Sequence, residues 1–164
     1  EEKNLHQEKK IGVFISYSHE DAEYKEMLIQ HLSPLKRSGK IAAWSDEELL
    51  PGSKLDEKIK EQLRQNDIII LMVSSSFIDS DYCYETEMRE AIAKAKAGEC
   101  KIVPVIVRPC MWSETPFKDF LALPHDGKAI SQYENKDEAY TEIVQGVKRL
   151  IEEMEQVRST AGKC

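Results

Sequence analysis

The chain of 164 residues has little that would mark a secreted, fibrous or membrane-spanning protein. No apolar run reaches the roughly 18–20 residues that cross a bilayer. The opening Glu1-Glu-Lys-Asn lacks the basic-then-apolar order of a secretory leader. Cysteine is sparse: Cys83, Cys100, Cys110 and Cys164 have no zinc-ligand spacing. A chain long enough for a good core needs no disulfide scaffold, so reduced thiols in the cytoplasm are expected. The four histidines, His6, His19, His31 and His125, show no metal spacing either, and no metal site is expected. Positive charge is not in excess. The net charge of -7 argues against a surface that tracks nucleic-acid phosphates.

Nucleotide signatures are also missing. Only Gly12 lies in the first apolar run, so the Gly-x-Gly-x-x-Gly of a dinucleotide fold is absent. Lys54 follows Pro51-Gly-Ser without a glycine-rich phosphate cradle, and no Gly-x-Ser-x-Gly elbow occurs. A phosphoacceptor site would need carboxylates right after the first strand, where Ser16-Tyr17-Ser18 stands instead.

What is present is an alternation of strands and helices. Ile11 to Ile15 reads as a buried strand with a polar exit at Ser16 to Glu20. Met27, Leu28, Leu32 and Leu35 recur at helical spacing, with Ser18 or Asp21 as cap and Pro34 as a kink or end. Ile41 to Trp44 reads as a second short strand, followed by a polar loop over 45–53 holding Pro51-Gly52. Residues 54–65 read as a helix. Ile68 to Val73 is a continuous apolar run, the mark of a central strand covered on both faces. Residues 83–97 suit a helix ending at Gly98. Lys101 to Val107 is a strand that Pro104 pushes toward an edge or bulge. Ala129-Ile130 is a candidate fifth strand, and 136–156 carries a helical apolar stripe. The division expected is a flexible segment 1–9, one domain over 10–156 and a disordered tail 157–164. The order implies a parallel sheet with helices on both faces, whose ligands bind beyond the carboxyl ends of the strands. Loops 16–20, 45–53 and 74–82 converge there.

Three segments carry a resemblance. Phe14-Ile-Ser-Tyr-Ser-His-Glu-Asp21 resembles the first box of Toll/interleukin-receptor (TIR) domains, in which a short strand runs into a serine-tyrosine box and an acidic pair. Trp44 to Gly52 resembles the second box, and Asp67 to Met88, with Ser80-Asp-Tyr-Cys83, resembles the third. The likeness is closer to bacterial members and covers residues 10 to 156. It implies a flavodoxin-like three-layer sandwich with a central five-stranded parallel sheet. It also implies one of two functions: NAD+ glycohydrolysis in a signalling or antiviral-defence protein, or a non-catalytic interaction module that scaffolds homotypic assemblies. Self-association through TIR–TIR contacts and an attached sensor or effector domain follow from the same resemblance. NAD+ would be a substrate, and no cofactor is expected.

In the enzymes of this family a glutamate at the start of the third helix is essential, which the resemblance carries to Glu87. Many members have two residues between the cysteine and that glutamate, and here Cys83 and Glu87 enclose three. Glu85 is therefore the runner-up. Chemically, one carboxylate suffices, because nicotinamide leaves without needing a proton while the ribose gains oxocarbenium character. Phe14 and Trp44 could offer flat surface to a ring or simply pack in the core. Ser16, Tyr17, Ser18, His19 and Ser76 could bond ribose or phosphate or satisfy their own loops. Asp46 could hold ribose hydroxyls or be a loop carboxylate. Cys83 is read as packing. Product type, whether hydrolysed, cyclised or transferred ADP-ribose, depends on pocket geometry.

Overall fold

The computed structural model describes residues 11–49, 57–80 and 86–162, with Ala43, Leu49, Glu87, Asp126 and residues 158–162 described by their backbone alone. The chain alternates as expected: β1 (Ile11–Ser18), a 3-10 turn (His19–Asp21), α1 (Ala22–Arg37), β2 (Ile41–Leu49), α2 (Glu57–Gln65), β3 (Ile68–Val73), α3 (Ser75–Asp79), α4 (Thr86–Lys96), β4 (Lys101–Ile106) and α5 (Lys136–Gly162). The strands pair in parallel in the order β2-β1-β3-β4. The expected fold class holds: a flavodoxin-like α/β sandwich with helices on both faces. None of the described helices is long and apolar enough to cross a membrane.

Side chains alternate across each strand, and this sorts the core into two layers. Val13, Ile15 and Tyr17 of β1 pack with Leu28 and Leu32 of α1 and Tyr140 and Ile143 of α5. Phe14 packs on the opposite face with Ile59 and Leu63 of α2 and Met88, Ala91 and Ile92 of α4. All of β3 is buried, which explains its unbroken apolar run.

The fifth sheet position is filled by Leu123, in a parallel bridge with Val105. Its N–H donates to the Pro104 carbonyl at 2.9 Å, and its carbonyl accepts from Ile106 N–H at 2.8 Å. The missing N–H of Pro104 therefore falls on the outer side of β4, as a proline in a strand requires. Gly146 of α5 permits this seat, because a Cβ there would come within 2.7 Å of Leu123 Cδ1. Ala129-Ile130, expected as that strand, is not one. Gln132 Oε1 takes the Ala129 N–H at 2.9 Å, and Ile130–Gln132 forms a 3-10 turn.

Other boundaries shift for identifiable reasons. β2 does not stop at Trp44; Ser45 to Leu49 pair onward with Phe14 to Ser18. Polar residues are tolerated there because β2 lies at the end of the strand order. α1 passes through Pro34 to Arg37, since a proline so near the end removes only one bond, and the chain turns at Gly39 with φ +85°. α5 continues past 156 to Gly162, into the segment expected as a disordered tail. No proline or glycine interrupts it between Gly146 and Gly162. Segment 1–9 and the Pro51-Gly52 turn lie outside the described residues.

Candidate functional site

The strand order reverses direction at β1 and β3. The chain leaves β1 toward β2 on one side, and leaves β3 toward β4 on the other. Such a switch point opens a crevice at the carboxyl ends of the strands, the usual ligand position in this architecture. The end of β1 is polar and buried, with Ser16 and Ser18 both shielded from solvent. Ser16 Oγ is fully buried and has no hydrogen-bond partner among the described residues. A buried hydroxyl without a protein partner is costly unless a water or a ligand satisfies it. Alternation puts Ser16 on the Phe14 face, which α4 covers through Met88 and Ile92. Glu87 immediately precedes Met88 in the first turn of α4.

A charged network ties the strand exits together. Asp21 is fully buried. Its Oδ2 accepts from Ser74 Oγ at 2.5 Å, and its Oδ1 accepts from Arg108 Nε at 3.2 Å and Nη2 at 3.0 Å. Arg108 Nη2 also reaches Ser76 Oγ at 3.5 Å, and Ser76 Oγ donates to Glu20 Oε2 at 2.7 Å. Ser74 Oγ in turn accepts the Phe77 N–H at 3.3 Å and caps α3. The exits of β1, β3 and β4 are thus joined by charge-assisted bonds.

The α1 face carries a second cluster. Lys25 is buried and pairs with Glu26 at 2.5 Å and Asp46 at 3.1 Å, its amine 4.8 Å from the centre of the Tyr17 ring. Burial alone would lower the Lys25 pKa, but the bonds to Glu26 and Asp46 outweigh it and hold the amine charged. Burial pushes the Tyr17 phenol above its ordinary range. On the α2 side, Ser45 Oγ donates to Gln62 at 2.7 Å and Glu47 pairs with Lys58 at 2.9 Å. His19 pairs with Glu48 at 3.1 Å.

These contacts sort the expected site residues. Ser16, Tyr17, Ser18 and His19 all lie at the β1 exit, but Tyr17 faces α1 with Lys25, whereas Ser16 and Ser18 share the Phe14 face. Ser76 joins them through the Arg108 network, so its hydroxyl is already bonded. Phe14 and Trp44 do not flank one cleft. Trp44 is paired with Val13 and packs on the α1 face, with Lys36 Nζ 4.6 Å from its ring centre, whereas Phe14 is buried on the α4 face. Asp46 also faces α1 and is held by Lys25. Glu85 and Cys83 lie outside the described residues.

Asp21, read as a helix cap, makes no capping bond and is the acidic centre of the network instead. Arg108 has no signal in the sequence, because its partner is 87 residues away and no local pattern links them. A cavity of about 530 Å³ lined by Cys100, Lys101, Leu123 and Arg149 lies at the entry end of β4, away from the strand exits.

The family model described as TIR domain matches residues 13–144. The chain is also similar to the uncharacterized protein y4lF of Sinorhizobium fredii, with 40% identity over 137 residues that cover 84% of this chain and 42% of that protein. This chain therefore spans about two fifths of the length of the curated relative it matches.

Proposed function

Because this chain belongs to the Toll/interleukin-receptor (TIR) domain family and resembles a bacterial relative, we propose that it is an NAD+ glycohydrolase acting at the β1/β3 crevice. The observation that carries the reading is the buried Ser16 hydroxyl without a partner, on the sheet face where α4 begins with Thr86 and Glu87. A ribose hydroxyl is a suitable partner for it.

In this reading the Glu87 carboxylate stabilises the positive charge that grows on the ribose as the nicotinamide–ribose bond breaks. Nicotinamide leaves neutral, taking the bonding electrons. Water adds to the ribose carbon and gives up a proton to solvent, leaving ADP-ribose. A hydroxyl or ring nitrogen of the substrate in place of water gives a cyclic product, and a second acceptor gives a transferred one. Ser16 and Ser18 hold the ribose, and Glu85 is the alternative carboxylate.

The domain works in a homotypic assembly in the cytoplasm, in a protein with a further sensor or effector domain. Assembly can complete the pocket through contacts with a neighbouring copy. Nicotinamide release from NAD+ by concentrated domain, and its loss on Glu87→Ala, is the test. Release that survives in Glu87→Ala and fails in Glu85→Ala moves the site to Glu85.

A further inference from the structure

We infer that Arg108 is a positioning residue for the β1 exit, an inference that rests on the glycohydrolase reading and assigns that site a part beyond the serine box and the glutamate. Arg108 lies just past β4, its side chain 37% exposed, and its guanidinium engages a carboxylate that is fully buried. Asp21 closes the 3-10 turn that follows directly on Ser18. Fixing Asp21 therefore fixes the path of the chain leaving Ser16 and Ser18.

The same guanidinium bonds Ser76 at the start of α3, the helix that follows β3 and precedes α4. One planar group thus sets the β1 exit against the β3 exit across the switch point. Lysine would keep the charge but cannot present Nε and Nη2 in a fixed fork. Neither Asp21 nor Ser74 faces the solvent, so their contribution to substrate is through the backbone they hold.

The experiment compares wild type, Arg108→Lys and the double variant Asp21→Asn/Arg108→Gln by NAD+ kinetics, thermal midpoint and amide hydrogen exchange over 16–22. Arg108→Lys is expected to lower kcat about 10–100-fold, as small misplacements of reacting groups do. KM should stay within about twofold, while exchange over 16–22 accelerates. The double variant removes the buried charge together with its partner, so its midpoint recovers while its kcat does not. Recovery of kcat with the midpoint would overturn the positioning role, leaving the pair as a stabilising contact. Unchanged exchange over 16–22 in Arg108→Lys would also overturn it. If wild type releases no nicotinamide while exchange still responds, the glycohydrolase reading fails and Arg108 is only a structural tie.

Discussion

Arg108 and Asp21 stand 87 residues apart and meet at 3.0 Å, an arginine at the surface holding an aspartate that water does not reach. The pair is asymmetric. Arg108 can rehydrate when its partner is lost, but Asp21 cannot. Arg108→Ala should therefore destabilise the domain by about 3–5 kcal/mol, the range for stranding a buried charge. Denaturant unfolding of wild type and variant checks this. A cost below about 1 kcal/mol, the range of an exposed pair, would show that the carboxylate is not shielded in solution.

Phe14 and Trp44 separate by sheet face, and their variants should separate too. Phe14→Ala empties a buried site on the α4 side, which typically costs about 3–5 kcal/mol. Trp44→Ala loses a half-buried ring and a contact with Lys36 worth about 0.5–1 kcal/mol. Trp44 lies on the face away from α4, so Trp44→Ala should leave KM for NAD+ within about twofold. A much larger rise in KM would place Trp44 in the cleft.

Tyr133 and Glu142 anchor the irregular stretch before α5. Tyr133 Oη donates to Glu142 Oε2 at 2.8 Å, and the same oxygen accepts the His125 N–H at 3.1 Å. The Tyr133 bond holds the Glu142 carboxyl below its ordinary 4.5. Its stabilisation is therefore present above pH 4.5 and fades as pH falls through the lower folded value. Burial, with the bond to Glu142, pushes the Tyr133 phenol up to about 12 from 10.0. That contribution is present below pH 10 and fades between pH 10 and about 12. Glu142→Gln keeps an acceptor for Tyr133 but loses the charge, and should lower stability at neutral pH by about 0.5–1.5 kcal/mol, with the gap from wild type closing on acidification. Unfolding curves at pH 7 and at pH 3 check the sign. A gap that widens in acid would contradict the assignment.

Much of this architecture is legible residue by residue. Ile68 to Val73 is apolar throughout because both faces of β3 are covered. Pro104 foretells an outer edge, and its missing N–H does lie on that side. Ser16 and Ser18 mark a polar strand end that the fold places at the switch point. Other features have no local signature. β2 runs on through Asp46 to Leu49 because its pairing with β1 holds polar residues in extended form. Leu123 becomes a sheet position only because Gly146, far along the chain, leaves room for it. Asp21 looks like a cap, and only the arrival of Arg108 makes it the centre of a network. The extended spacing from Cys83 to Glu87 is visible in the sequence, but the choice between Glu85 and Glu87 in the proposed reaction is a matter of geometry.

In the proposed reaction one carboxylate at the start of α4 stabilises the charge that grows on the ribose as the nicotinamide–ribose bond breaks. That role is tested most directly by product analysis of NAD+ incubated with wild type, Glu87→Gln and Glu85→Gln, each concentrated and crowded to drive assembly. Wild type should release nicotinamide together with ADP-ribose or a cyclic or transferred form of it. Glu87→Gln should lower release by about 10²–10³-fold, and Glu85→Gln should change it far less. No release from wild type in any assembled state, with self-association intact, would contradict the account and leave a non-catalytic interaction module.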